Sequence, residues 1–167
     1  MFLKPITTRV LQVLGILSLA AGCAAAQAGD GERRVTVLVA NPALTGEPYE
    51  HSVVLLSPEG GGDYGVIINR PTEQGIFVGG PFMPHRLLAL TRDEKSLQLA
   101  AVPAPTELSP ERARYFAGLI LWRPGELSDE LRRGVWIRLE IRLDTVFRGD
   151  TDGLWEELLA ATQGVRV

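Results

Sequence analysis

Residues 52–81 read SVVLLSPEGGGDYGVIINRPTEQGIFVGGP and decide the fold. Glycine and proline separate three short apolar runs, Val53–Leu56, Val66–Ile68 and Ile76–Val78. Such runs, bounded by turn residues, are typical of closely paired buried strands. Two triplets, Asn69-Arg70-Pro71 and Gly79-Gly80-Pro81, end two of these strands. We therefore expect both triplets at the edge of one small sheet.

The loop Ser57–Asp63 contains Gly60-Gly61-Gly62, and two interpretations of it are open. A phosphate-binding loop would continue with lysine and serine or threonine and open a helix, and neither follows here. A hairpin turn that uses the positive φ available to glycine is favoured. The sequence therefore predicts an antiparallel hairpin between Val53–Leu56 and Tyr64–Asn69.

The first 22 residues are predicted to be a signal peptide. Residues 1–9 carry Lys4 and Arg9 and no acid, and Val10–Ala21 is apolar except for Gln12 and Ser18. That run is too short to span about 30 Å of hydrocarbon as a stable helix, and it fits an export signal. Residues 23–34 then form a small, polar tether, and residues 35–167 form one domain.

Cys23 is the only cysteine and follows Ala20-Ala21-Gly22. This pattern resembles a bacterial lipobox, although Ala20 stands where leucine is usual, and we expect a diacylated, membrane-anchored protein on the periplasmic side of the cell envelope. The alternative is ordinary cleavage near Ala26, which yields a soluble periplasmic form.

The charge of the chain excludes one class of partner. Seventeen Lys and Arg oppose twenty Asp and Glu, for a net charge of −3. Removal of Lys4 and Arg9 with the signal peptide leaves −5. No basic run exceeds two residues, so a nucleic-acid surface lacks its electrostatic footprint.

The remaining chain predicts strands in two groups with helices after them. We expect strands at Val35–Ala40, Leu87–Leu90, Tyr115–Trp122 and Val135–Asp144, and helices at 124–134 and at Leu154–Thr162, the last ended by Gly164. Ser109-Pro110-Glu111 resembles a helix start, but any helix there is limited to one or two turns. The order indicates an α+β fold rather than alternating βαβ units.

Several ordered motifs resemble the AlgH/YqgE family of bacterial proteins. They are LVANPAL, YEHSVVLL, YGVIINRP, IFVGGP, FAGLILWRPGELSDEL and GVW, which together extend from about Leu38 to Leu158. The family pattern is matched at the two triplets and at Trp122, Pro124, Gly125, Leu127 and Glu130. Glu126 replaces a glutamine, Leu121 a glycine and Arg123 a small residue.

The resemblance implies a small β-barrel-like mixed sheet with flanking helices and no established catalytic activity. It also implies a regulatory role for some members. Two departures stand out. Only residues 72–78 separate the two triplets, where relatives carry a longer segment. Relatives are usually cytoplasmic, whereas this chain begins with an export signal, so a transcription-linked role is not expected.

Metal and nucleophilic chemistry find little support in the sequence. The domain has two histidines, His51 and His85, and no cluster with zinc-ligand spacing, so no metal and no cofactor are predicted. Asp150-x-Asp152-Gly153 lacks the oxygens of a calcium loop and is better explained as a helix cap. No Gly-x-Ser-x-Gly motif occurs.

The candidate ligand site consists of Asn69, Arg70, Pro71, Gly79, Gly80, Pro81 and Trp122. If the strands before the two triplets are neighbours, Arg70 and the amides of Gly79 and Gly80 can face one small anion or chain terminus. In the alternative, Asn69 and Arg70 bind carbonyl groups and fix loops. Trp122 is either a pocket wall or a core residue.

The sequence therefore favours a non-catalytic binding or regulatory module, with an unknown protein or small anionic ligand as its partner. An envelope hydrolase that uses Arg70 with a carboxylate such as Asp63 or Glu73 is the alternative. A purely structural envelope protein is the third possibility.

Overall fold

The computed structural model describes residues 33–58 and 63–163. The predictions for the signal peptide, Cys23, the Gly60–Gly62 turn and Gly164 lie outside these residues, as does the tether up to residue 32. The first strand begins at Arg34, one residue before the predicted start of the domain.

Eight strands, three α-helices and one short 3-10 turn are formed by the described residues. The strands are β1 (Arg34–Ala40), β2 (Val53–Leu56), β3 (Tyr64–Ile67), β4 (Ile76–Val78), β5 (Phe82–Arg92), β6 (Leu97–Ala101), β7 (Ala113–Leu121) and β8 (Trp136–Arg142). The helices are α1 (Glu126–Arg132), α2 (Leu143–Phe147) and α3 (Leu154–Gln163), and the 3-10 turn is Pro42–Leu44.

The strands form one mixed sheet in the order β6-β5-β7-β3-β2-β1-β8. All pairs on this path are antiparallel, and β4 joins the side of β7 as its parallel neighbour. The α+β class is confirmed, and so is the predicted pairing of the second and third strands. The implied barrel closure is not found, because β6 and β8, at the two ends of the path, are not paired with each other.

Strand β7 connects the two halves of the sheet. Its C-terminal end pairs with β3 at Ile120 and Leu121, and the rest of the strand pairs with β4 and β5. Gly118 lies between these two parts with φ of 70°, a conformation that glycine adopts without steric cost. The strand can therefore change partners at Gly118.

Two glycines from the second triplet pack directly against this bend. A Cβ atom on Gly79 would overlap the Gly118 carbonyl oxygen, and one on Gly80 would overlap the Leu119 carbonyl group. Gly79 also donates a hydrogen bond from its amide to Ala117 O (2.9 Å) and accepts one from Ile67 N (2.9 Å). These glycines thus let three backbone segments approach each other closely.

The hydrophobic core is continuous from the sheet to α2 and α3. It contains strand residues such as Val37, Leu55 and Phe116 together with helix residues such as Leu143 and Leu154. The indole of Trp155 donates to the Ala40 carbonyl (2.8 Å) and so ties α3 to the end of β1.

Three predictions for the later part of the chain need correction. Strand β5 is longer than Leu87–Leu90, but its pairing is irregular between Phe82 and Leu87, where Pro84 lacks an amide donor. Residues 110–112 form a single turn and no helix. The backbone N–H groups of Arg112 and Ala113 both donate to Ser109 O, and β7 begins at Ala113. The third correction concerns the end of β8, which was predicted to continue to Asp144. The strand ends at Arg142, and α2 begins at Leu143.

Burial along β8 alternates only in part: Ile141 is buried, and Arg138, Glu140 and Arg142 are exposed. Trp136, in register with the exposed side chains, is 3% exposed because it packs against the rings of Tyr49 and Trp122. Over the described residues, no helix is both long and apolar enough to cross a membrane.

Gly79→Ala tests the glycine contact. We expect a loss of about 3 kcal/mol in the free energy of unfolding, because the new methyl group meets backbone that cannot move without disturbing β7. Gly149→Ala is the control, since Gly149 is exposed and a Cβ there meets no atom within 4 Å. Urea denaturation measures both, and equal small effects would contradict the close packing.

Candidate functional site

Asn69 uses both ends of its side-chain amide to hold the entry to β2. Its Oδ1 accepts a hydrogen bond from Val53 N (2.9 Å), and its Nδ2 donates to His51 O (2.8 Å). His51 has a positive φ of 55°, which is uncommon for a residue other than glycine. Asn69 therefore stabilises the turn that leads into the sheet.

Arg70 is also directed towards protein backbone. Its Nη2 donates to Pro48 O (3.0 Å) and to Glu50 O (2.9 Å), in the surface loop between β1 and β2. No hydrogen bond or ion pair joins Arg70 to Asp63 or Glu73 within residues 33–58 and 63–163. These contacts correspond to the loop-fixing alternative for Asn69 and Arg70.

The two triplets do lie side by side. Val78 N donates to Arg70 O (2.8 Å), and Pro71 and Phe77 form an isolated antiparallel bridge. The expectation of two exposed glycine amides is wrong for Gly79, because its N–H is bonded to Ala117 O and the residue is buried. Gly80 is buried as well, whereas Pro81 is exposed at the start of β5.

Trp122 belongs to a buried polar cluster that sequence analysis did not identify. The indole N–H groups of Trp122 and Trp136 both donate to Glu130 Oε2, at 2.8 and 2.7 Å. The two rings meet edge to face, 6.3 Å apart, and Tyr49 packs on Trp136 at 5.8 Å. Burial, followed by the charge of Glu130, raises the pKa of Tyr49.

The Glu130 cluster fixes α1 to the sheet. Glu130 lies on α1, Trp122 directly follows β7, and Trp136 begins β8. A carboxylate that accepts two N–H groups satisfies both indoles in the interior. The sequence signal for this cluster is a glutamate that lies between two tryptophans, one after an apolar strand and the other at the start of a strand. Sequence spacing alone does not show that the three side chains meet.

An open cleft of about 1090 Å³ lies beside α1. Its walls come from α1, from β1 and β8, and from the ends of β2, β6 and β7. The apolar side chains in the lining are Val35, Leu56, Leu97, Leu121, Trp122, Leu127 and Leu131. Trp122 is 6% exposed and is thus both a core residue and part of this wall.

The charged rim of the cleft is mainly basic. Arg33, Arg34, Lys95 and Arg138 line it, and its two acids are Asp63 and Glu140. Glu140 Oε1 accepts a hydrogen bond from the Thr36 hydroxyl (2.5 Å), and the four basic side chains outnumber the two acids. The rim therefore carries positive charge on a chain whose net charge is −3.

Within the described residues, no group of three His, Cys, Asp or Glu side chains is placed to hold a metal ion.

The cleft can bind a ligand through apolar contact and charge. Of the predicted site residues, it contains only Trp122, because Asn69, Arg70, Pro71, Gly79, Gly80 and Pro81 do not line it.

Comparison with known proteins identifies similar sequences and folds. The family model described as DUF179, AlgH-like, matches residues 37–166. A UPF0301 protein of Streptomyces coelicolor is 31% identical over 165 aligned positions, which cover 77% of this chain and 86% of that protein. A UPF0301 protein of Cytophaga hutchinsonii is 24% identical, with 77% and 88% covered.

Two solved structures share the fold. The AlgH protein from Pseudomonas aeruginosa has a TM-score of 0.58 and 22% identity, over 80% of this chain and 88% of that chain. A Corynebacterium diphtheriae protein has a TM-score of 0.61 and 21% identity, over 75% and 85%. The similarity of this chain to AlgH-like proteins therefore extends from sequence to fold.

Arg70→Ala tests the role of the guanidinium. We expect a loss of about 2 kcal/mol in the free energy of unfolding, because two charge-assisted hydrogen bonds to loop carbonyls disappear. Arg123→Ala, at an exposed position, is the control. Unchanged stability of Arg70→Ala in chemical denaturation would show that Arg70 is not a loop-fixing residue.

Proposed function

The chain belongs to the AlgH-like family, and we propose that it is a non-catalytic binding module, exported and lipid-anchored in the cell envelope. The family has no assigned activity, so the proposal rests on this chain's own residues. The cleft beside α1 is the single observation that carries the binding role.

The chemistry of the cleft defines the class of ligand. Its volume of about 1090 Å³ lies just above the range of small-molecule sites, roughly 300–1,000 Å³. Apolar side chains from the strands and α1 line the cleft together with four basic side chains. A ligand with an apolar body and an anionic group satisfies both parts.

The contacts of Arg70 favour binding over hydrolysis. A hydrolase built on Arg70 needs that guanidinium next to a carboxylate and a substrate, whereas its Nη2 donates to two backbone carbonyls. The cleft, in contrast, presents side chains that hold and orient a ligand. The alternatives are a hydrolase and a purely structural protein, and a ligand-binding experiment separates both from a binding module.

Export and anchoring are supported by the N-terminal sequence. The basic n-region, the apolar run and Ala20-Ala21-Gly22-Cys23 fit a lipoprotein signal. About ten residues connect Cys23 to Arg33, which corresponds to at most ~35 Å of extended chain. An anchor at Cys23 would therefore hold the basic rim near the membrane surface.

Cys23→Ala tests the anchor. We expect radiolabelled palmitate to be incorporated into the wild-type protein in cells and not into Cys23→Ala, because the thiol is the acylated group. Ser18→Ala changes the same signal but keeps the cysteine, so it should still be labelled. An unlabelled wild-type protein whose mature mass indicates cleavage after Ala26 would refute the anchor.

Binding of dodecyl phosphate to the mature Cys23→Ala protein tests the cleft. Titration calorimetry should show binding that Leu121→Glu and Arg138→Glu each weaken at least about tenfold, since one adds a negative charge to the apolar lining and the other reverses a basic charge of the lining. The matched controls are Leu108→Glu and Arg86→Glu, at exposed positions outside the lining.

The proposed binding role predicts no change in the two controls. Absence of binding by the wild-type protein, or equal binding by all four variants, would contradict the cleft as the site. Hydrolysis of the phosphate ester that Arg70→Ala abolishes would favour the enzyme instead.

A further inference from the structure

A second feature lies on the other half of the sheet, around Arg114. Arg114 is in β7 opposite Leu90 of β5 and is only 5% exposed. Its guanidinium carbon lies 4.8 Å from the centre of the Phe77 ring. The chain therefore places a charged side chain in an almost fully buried position.

Two donor atoms of the Arg114 guanidinium have no hydrogen-bond acceptor. Within residues 33–58 and 63–163, its Nε and Nη1 atoms are buried and form no hydrogen bond. The cation–π contact with Phe77 compensates only part of the lost hydration. A buried guanidinium without an acceptor is costly, and buried polar groups in proteins almost always have a partner, which includes bound ions.

Two further arginines reinforce the positive charge. Arg92 lies two residues beyond Leu90 on the same face of β5, a diagonal position from which long side chains reach each other. Burial first, and then the charges of Arg148 and Arg92, lower the pKa of Arg114 to about 10. Both charged groups that lower the pKa of Arg114 are therefore cations.

The neighbouring carboxylates are already in use. Arg92 Nη1 is paired with Asp144 Oδ1 at 2.7 Å, and its guanidinium stacks on Phe147 at 4.5 Å. Arg148 Nη1 is paired with Glu157 Oε2 at 2.6 Å, while its Nε is buried and has no hydrogen-bond partner among the described residues. Asp144 also accepts a hydrogen bond from Arg142 Nη2 (3.4 Å), so both carboxylates are bonded to other arginines and neither is bonded to Arg114.

We propose that Arg114 is the centre of an anion-binding site, in which a small oxyanion accepts the free N–H groups of Arg114 and Arg148. An oxyanion supplies several acceptors at once, which matches donors on two guanidinium groups. Because the Nε and Nη1 atoms of Arg114 and the Nε atom of Arg148 have almost no accessible surface, a small oxyanion such as phosphate or sulfate reaches them only when neighbouring side chains move aside. This site is separate from the cleft, because none of the three arginines lines it.

Thermal unfolding in sodium phosphate and in sodium chloride at equal ionic strength tests the site, with the mature Cys23→Ala protein. Phosphate should raise the melting temperature in a saturating manner and increase the folding equilibrium constant about 100-fold at 100 times its Kd. Arg114→Met keeps the side-chain length and removes the charge, so it should unfold at the same temperature in both salts.

Two other variants make the result specific. Arg112→Met removes an exposed arginine of the same face two residues away and should keep the full phosphate effect. Arg114→Lys keeps the charge but not the planar donor set, so it should keep only part of the effect and serves as the second variant if Arg114→Met does not fold.

The proposal is overturned if phosphate stabilises the wild-type protein no more than chloride does. It is also overturned if Arg114→Met, or Arg114→Lys where the methionine variant is unfolded, retains the full phosphate effect. A phosphate effect in wild type and Arg112→Met that is lost in Arg114→Met supports it.

Discussion

The close contact of Gly79 and Gly80 with Gly118 is the constraint on which the rest of the structure depends. It brings the end of β4 against the middle of β7, at the point where β7 passes from one half of the sheet to the other. Any side chain there would separate these backbones. The same contact places Arg70 and Val78 within hydrogen-bonding distance of each other's backbone, so both triplets help to build the sheet.

Glu130 performs a comparable task just beyond the C-terminal end of β7. By accepting two indole N–H groups, it fixes α1 between Trp122 and Trp136 without leaving polar atoms unpaired. With α1 fixed, its apolar residues Leu127 and Leu131 border the cleft rather than cover it. A buried polar interaction thus determines the shape of the surface that we propose for ligand binding.

The arginines of this chain show that residue type does not define role. Arg70 donates to loop carbonyls, and Arg92 and Arg148 each pair with a carboxylate. Arg138 stands on the rim of an open cleft, whereas Arg114 is buried with unsatisfied donors. The same guanidinium stabilises a loop or marks a ligand site according to the acceptors around it.

The sequence by itself determined the α+β class, the pairing of β2 with β3 and the helices α1 and α3, because apolar periodicity and turn residues act over short distances. Its ordered motifs also indicated the family, through their resemblance to known members. It also identified the two triplets, but not the bonds made by Asn69 and Arg70. Only the tertiary structure decided that the sheet stays open and that α1 leaves a cleft. It alone decided that Trp136 is buried and that, within the described residues, the Nε and Nη1 atoms of Arg114 have no acceptor, because these outcomes depend on contacts between residues far apart in the chain.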